Sequence, residues 1–309
     1  MKTLLFRLAA TGFLAVGIIV GTLIISGCSS GTSSVVNDSV ARQDTIDTMR
    51  VTRKLKNDTV LMVDGRKVIL KAGLTDSHKG TILVLHGWNL PPEDWCTKTS
   101  LCDKATKLGY CLVLPDMGKS NYQKKTFPET RPDWAGTPKV TWLTDTVIPM
   151  LQKEYGLLLE GEPNYVMGLS TGGRGVAIMV LEMPKLFTAA AALSGDFDQT
   201  KIPNDKVIIG FYGPYDQFQE RWQTADNAVN RIKEFNTPFY LGHGTQDKVC
   251  PPQQSKIFYD SLVKYHPKLD VRFHNPVAAH DYTFWDSEVD NILSFFGIHD
   301  GTKKSPVKD

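Results

Sequence analysis

Asn164-Tyr165-Val166-Met167-Gly168-Leu169-Ser170-Thr171-Gly172-Gly173-Arg174-Gly175 is the stretch on which the reading of this fold turns. A short apolar strand, Tyr165 to Met167, runs into Gly168-Leu169-Ser170-Thr171-Gly172. Val176, Ala177, Met179, Val180 and Met183 then recur at helical spacing until Pro184 stops the pattern. Strand, tight turn and helix in that order are the setting of a nucleophile elbow, with Ser170 at its apex. The apex backbone is strained, and side chains two residues to either side would collide; Gly168 and Gly172 remove that collision. The Ser170 hydroxyl is thereby expected to project above the sheet edge, with the Thr171 amide beside it at a helix N-terminus.

Working outward, strands and helices alternate. Thr59 to Val63 and Lys67 to Leu70 flank Asp64-Gly65, a good hairpin turn. Thr81 to His86 is nearly continuously apolar, as a buried parallel strand should be. A helix is expected over Trp95 to Leu108, a strand over Cys111 to Leu114, and an amphipathic helix over Trp142 to Tyr155. Beyond the elbow helix the pattern predicts strands at Ala189–Leu193, Phe239–Gly242 and Val271–His274. Helices are predicted over Gln253–Tyr265 and Phe284–Phe296. Such alternation argues an α/β fold, a mostly parallel sheet with helices on both faces. Two stretches break the rhythm: a polar loop over Asp116–Thr141 and an irregular region over Gly195–Asp226. Both carry aromatics and both should leave the carboxyl end of the sheet, where ligands bind in such folds.

The ends read differently from the middle. Residues 1–27 carry a basic start (Lys2, Arg7), an apolar stretch from Leu8 to Ile25, and small residues just before Cys28. This resembles a bacterial lipoprotein signal, in which that cysteine becomes the acylated N-terminus. An uncleaved membrane anchor is the alternative. Residues 28–50 then form a flexible Ser/Thr/Gly-rich tether, 51–300 the catalytic domain and 301–309 a polar tail. The expected location is the cell envelope, attached to a lipid membrane through Cys28.

The formal charge of +2 rests on Lys2 and Arg7, so from Cys28 onward the chain is neutral. No basic patch with interleaved aromatics appears, so a nucleic-acid partner is not expected. No CxxC, HExxH or His-rich tract exists, so no metal and no cofactor are expected either. Gly118-Lys119-Ser120 looks like the end of a phosphate-binding loop, but Val113 stands where its first glycine belongs. Cys96, Cys102, Cys111 and Cys250 allow two disulfides in three connectivities. Cys96 with Cys102 is a candidate local pair, and Cys111 lies in an apolar strand.

A serine hydroxyl needs a base, and that base a carboxylate to hold it. His280 follows the last strand and precedes the last helix, at the correct edge of the sheet. Asp247, in Gly242-His243-Gly244-Thr245-Gln246-Asp247, also directly follows a strand, and its glycines permit a tight loop. Asp198, Asp216 and Asp281 are rivals for that role. Two amide donors are needed where the oxyanion forms. Thr171 N–H is one, and His86-Gly87-Trp88 supplies Trp88 N–H as the other. His86 itself is read as an anchor for the loop. Trp88, Tyr122, Trp134 and Tyr215 are candidates for an aromatic wall against a sugar or aryl group.

With these motifs in order, the chain resembles the α/β-hydrolase superfamily across roughly residues 59 to 297. It is most similar to the esterase group that includes S-formylglutathione hydrolase, feruloyl esterases and polyhydroxybutyrate depolymerases. His86-Gly87-Trp88, Gly168 through Gly173, Phe187 through Gly195, His243 through Asp247 and His280 through Trp285 carry the likeness. The resemblance implies a triad of Ser170, Asp247 and His280, with Trp88 and Thr171 as oxyanion donors. It implies a serine esterase acting on a small-molecule or carbohydrate-linked ester. The His-Gly-Thr-x-Asp loop is also similar to that of dienelactone hydrolases and prolyl oligopeptidases. An acyltransferase resembling the mycolyltransferases, a peptidase, and a binding lipoprotein without turnover therefore remain open.

Overall fold

A computed structural model describes residues 55–75, 77–224 and 226–300. The expected signal peptide (1–27), the tether (28–50), the lipidation site Cys28 and the polar tail (301–309) lie outside the described residues. The strands are β1 (Thr59–Val63), β2 (Arg66–Lys71), β3 (Gly80–Leu85), β4 (Tyr110–Pro115), β5 (Asn164–Leu169), β6 (Ala189–Leu193), β7 (Phe239–Gly242) and β8 (Val271–His274). They form one sheet in the order β1-β2-β4-β3-β5-β6-β7-β8. β1 and β2 pair as the expected hairpin, with Asp64 and Gly65 both at positive φ, and β2 runs antiparallel to β4. Every pair from β4 to β8 is parallel.

The strands between the edges, β3 to β7, are buried throughout, which is why they read as unbroken apolar runs. Alternate residues of one strand feed opposite layers. Leu83, Val113, Val166 and Ala190 join one core, and Ile82, Leu112, Met167 and Ala191 the other. The outermost strands β1 and β8 alternate between half-buried and exposed instead.

The helices flank both faces. They are α1 (Asp94–Thr97), α2 (Leu101–Lys107), α3 (Val140–Trp142), α4 (Ile148–Tyr155), α5 (Thr171–Glu182), α6 (Lys206–Tyr212), α7 (Gln219–Gln223), α8 (Gln253–Tyr265), α9 (Tyr282–Ser287) and α10 (Val289–Ile298). Three departures from the sequence expectation have physical causes. The helix expected over Trp95 to Leu108 is two helices, because Asp286 accepts hydrogen bonds from both Ser100 N (2.6 Å) and Ser100 Oγ (2.7 Å) and starts a new helix there. A disulfide joins Cys96 to Cys102 across the break. The closing helix divides at Glu288, whose buried carboxylate accepts from Tyr240 Oη (2.6 Å) and pairs with His274 Nδ1 (2.7 Å). The helical stretch from Val140 to Tyr155 is continuous but widens to a π-turn over Leu143–Val147. Pro149, in the first turn of α4, has no N–H to return to the preceding turn, and the widened turn accommodates it.

The region over Gly195–Asp226, expected to be irregular, contains α6 and α7. Asp205 caps α6 by accepting from Val207 N (2.8 Å) and Ile208 N (2.9 Å). With the loop after β4 these helices build a third apolar cluster: Trp134, Ile208, Phe211, Tyr212 and Trp222. This cap leaves the carboxyl ends of β4 and β6, over the same edge from which Ser170 emerges. Among the described residues no helix is long and apolar enough to cross a membrane.

Candidate active site

Ser170 has φ 55° and ψ −126°, a conformation costly for a side chain other than glycine. The turn is fixed from both sides. Ser170 N donates to Leu193 O (2.8 Å) and Arg174 N donates back to Ser170 O (3.2 Å). A Cβ at Gly168 would come within 2.5 Å of Gly172 O, and one at Gly172 within 2.5 Å of Leu85 O. Both glycines are thus required by backbone, which cannot move aside.

His280 sits in the loop between β8 and α9. Ser170 Oγ–H donates to His280 Nε2 (3.0 Å), and His280 Nδ1–H donates to Asp247 Oδ2 (2.6 Å). Asp247 follows β7. Its Oδ1 accepts from Val249 N (2.8 Å) and Cys250 N (2.9 Å), and His243 Nε2 lies 3.2 Å from Oδ2. Its burial favours the neutral acid, but hydrogen bonds from His243 and His280 and the positive charge His280 can carry outweigh it. The carboxyl is held well below the usual carboxylate range. Trp285 stands edge-on to the imidazole, with ring centres 5.1 Å apart. Two of the three rival acids are used elsewhere: Asp198 accepts from Thr200 N at the start of a short 3-10 turn, and Asp281 accepts from Phe284 N as the cap of α9, while Asp216 is exposed on the cap.

The loop after β3 closes the other side. A Cβ at Gly87 would lie 3.1 Å from Ser170 Cβ, so Trp88 follows directly beside the serine. Neither Trp88 N nor Thr171 N donates within the described structure, and both residues line the cavity that holds Ser170. His86 is a loop anchor. Its Nδ1–H donates to Gly87 O (2.7 Å) and its Nε2 accepts from Met117 N (2.7 Å), while burial lowers its pKa and keeps it neutral.

The expected aromatic wall needs correction. Tyr122 is fully buried and its hydroxyl donates to His86 O (2.7 Å), so it braces the loop from within. Trp134 packs against Trp88, Phe211 and the backbone of Gly210, and Tyr215 packs edge-on to Trp222. None of the three lines the cavity beside Ser170; of the four aromatics only Trp88 does. Tyr122 gives its apolar area to the main core, and Trp134 and Tyr215 give theirs to the third cluster, which sequence spacing cannot reveal.

That cavity is about 170 Å³. Ile202, Val207 and Ile208 give it apolar lining, and Asn121, Asp196 and Asp205 polar lining. Sequence reasoning missed these residues, although Arg174 gave a signal: a charged residue on the buried face of the elbow helix must have partners. It pairs with Asp196 (2.8 Å), donates to Gln199 Oε1 (3.0 Å) and Asp226 O (2.6 Å), and joins the cap to the elbow. A second, open groove is lined by Thr245, Gln246, Lys248, Ala279 and His280, and it shares Val249 with the cavity beside Ser170.

The model of the family described as "Putative esterase" matches residues 79–296. Among solved structures, the fluorophosphonate-binding serine hydrolase FphF of Staphylococcus aureus superposes with a TM-score of 0.61 at 18% identity, over 77% of this chain and 96% of that one. The S-formylglutathione hydrolase FrmB of Staphylococcus aureus does so with a TM-score of 0.60 at 15% identity, over 77% of this chain and 97% of that one. At these identities the likeness is one of fold. An uncharacterized abhydrolase domain-containing protein of Dictyostelium discoideum is 23% identical over 108 residues, which is 32% of this chain and spans 11% of that relative's length.

Proposed function

We propose that this chain, which belongs to the esterase family, is a carboxylic-ester hydrolase with Ser170, His280 and Asp247 as its catalytic triad. The observation that supports this reading is the unbroken hydrogen-bonded line from Ser170 Oγ through both nitrogens of His280 to Asp247 Oδ2, at 3.0 and 2.6 Å.

Ser170 Oγ attacks the ester carbonyl carbon as its proton passes to His280 Nε2. The carbonyl oxygen becomes an oxyanion facing Trp88 N–H and Thr171 N–H, each worth about 3 kcal/mol of barrier. Collapse breaks the bond to the alcohol oxygen, which takes the proton from His280 and leaves. Water then attacks the acyl-enzyme, gives its proton to His280, and releases the carboxylic acid as Ser170 Oγ is reprotonated. Asp247 fixes the tautomer of His280 and stabilises the imidazolium at each stage.

Location is part of the proposal. Residues 1–27 read as a lipoprotein signal, so the catalytic domain (51–300) would sit in the cell envelope, tethered by 28–50 to an acylated Cys28. Metabolic labelling with an alkyne-tagged fatty acid tests this, and a Cys28→Ala protein that still takes up label would count against it.

The central test treats the protein with a fluorophosphonate probe beside Ser170→Ala, followed by a panel of carboxylic esters. Labelling and ester turnover abolished in Ser170→Ala are expected. Turnover that survives Ser170→Ala would reject the assignment.

A further inference from the structure

Ser194, the residue that follows β6, has φ 51°, a backbone conformation that suits glycine. Glycine stands one place later, at Gly195, so the strain falls on a residue with a side chain. Such strain persists only where the surrounding contacts over-determine it, and it gathers at functional sites. The contacts of Ser194 show what it secures. Its N–H donates to Gly242 O (2.8 Å), which locks the residue to the end of β7. Its hydroxyl oxygen accepts from Trp285 Nε1 (3.2 Å), and both residues are buried.

Trp285 in turn stands against the base. It lies in α9, where side chains lean toward the helix N-terminus, and His280 is just ahead of that N-terminus. Asp281 accepts from Phe284 N (3.0 Å) and fixes the start of the helix between them. The indole and imidazole rings meet nearly at right angles, at 82°, with centres 5.1 Å apart. Both nitrogens of His280 are committed, one to Asp247 and one to Ser170. Trp285 therefore meets the imidazole through its carbon atoms, and holds its position without competing for its proton.

The end of β6 thus supports both partners of the proton transfer. Leu193 O accepts from Ser170 N (2.8 Å) and holds the nucleophile turn. Ser194, the next residue, holds the indole that stands against His280. We infer, given Ser170 and His280 in the roles proposed above, that Ser194 and Trp285 are positioning residues for the base. Together they keep the imidazole at its 3.0 Å distance from Ser170 Oγ. Glycine at position 194 would relieve the strain but would bring no oxygen to the indole, which accounts for serine there.

The experiment compares the ethyl and 4-nitrophenyl esters of the acyl group that the ester panel favours. Ethoxide needs a proton from His280 to leave, whereas 4-nitrophenolate does not, so a displaced imidazole harms the ethyl ester more. The variants are Trp285→Leu, Trp285→Phe, which keeps a ring but removes the N–H, and Ser194→Gly. The ethyl-to-nitrophenyl ratio of kcat/KM should fall about 10-fold in Trp285→Leu and about 3-fold in the other two. Ser194→Gly should melt close to wild type, because relief of strain offsets the lost hydrogen bond. The two milder variants carry the test if leucine fails to fold. Parallel loss on both esters in folded variants would mean a structural role only, which overturns the inference. So does wild-type activity in every variant. A wild type that neither takes the fluorophosphonate label nor turns over ester would instead overturn the assignment of Ser170, and this inference with it.

Discussion

Replacing Asp247 by asparagine should reduce kcat about 10³- to 10⁴-fold while changing KM little. The geometry gives the reason. Val249 N and Cys250 N both donate to Oδ1 of Asp247, at 2.8 and 2.9 Å. In the Asp247→Asn variant those two amides hold the carboxamide oxygen in the Oδ1 position, so the carboxamide nitrogen takes the place of Oδ2. That nitrogen then points its hydrogens at His280 Nδ1, which in wild type donates across 2.6 Å. The imidazole relieves that donor–donor clash by moving its proton to Nε2, and an Nε2–H cannot accept a proton from Ser170. Turning the amide over instead would set its NH₂ against two backbone N–H groups, at about 1–3 kcal/mol each. Steady-state kinetics on a 4-nitrophenyl ester, normalised by active-site titration, measure the effect, and the rate of fluorophosphonate labelling should fall with kcat. An Asp247→Asn enzyme that keeps more than about a tenth of wild-type kcat would refute this reasoning.

Three further outcomes follow from the same structure. Asp247 ionises well below the usual carboxylate range, so its contribution to stability is present above the unfolded value near 4 and is lost as pH falls through the lower folded value. The gap in Tm between wild type and Asp247→Asn should therefore be constant above about pH 5 and shrink progressively as pH falls below about 4; a gap unchanged down to strongly acid pH would contradict it. Gly172→Ala places a Cβ 2.5 Å from Leu85 O and 2.6 Å from His86 O. Because both are backbone, it should lose about 1–3 kcal/mol in denaturant unfolding and most esterase activity. Removing the Cys96–Cys102 disulfide, which closes a loop of sequence separation 6, should cost about 2 kcal/mol with kcat unchanged, as judged by chemical denaturation and ester turnover of the double alanine variant.

Local patterning carried much of the fold. β6, β7, α8 and β8 begin and end where apolar period and turn residues place them, because each is bounded by a signal in its own sequence. The elbow was legible for the same reason: Gly168 is demanded by Gly172 O, four residues on, although the atoms that press on Gly172 belong to β3 and the loop after it. The helix breaks at Ser100 and Glu288 were not legible. Each is made by a partner far along the chain, Asp286 for the first and Tyr240 for the second, and a single helical period shows neither. The loop aromatics misled for a related reason. Tyr122, Trp134 and Tyr215 have the chemistry of a binding wall, but Tyr122 and Trp134 are buried and Tyr215 packs half-buried against the cap cluster, so none of them lines the cavity.

The order of elements, the sheet edge at which function gathers, and the residue types able to do acyl chemistry there were all readable along the chain. These depend on covalent order and local period, which the chain carries wherever it goes. That Ser170, His280 and Asp247, separated by 110 and 33 residues, meet within hydrogen-bonding distance became visible only in three dimensions. So did the buried ion pair of Arg174 with Asp196, at 2.8 Å, which joins the cap to the elbow. Such facts depend on which surfaces press together when the cap closes over the sheet, and that is fixed by packing between distant segments rather than by spacing along the chain.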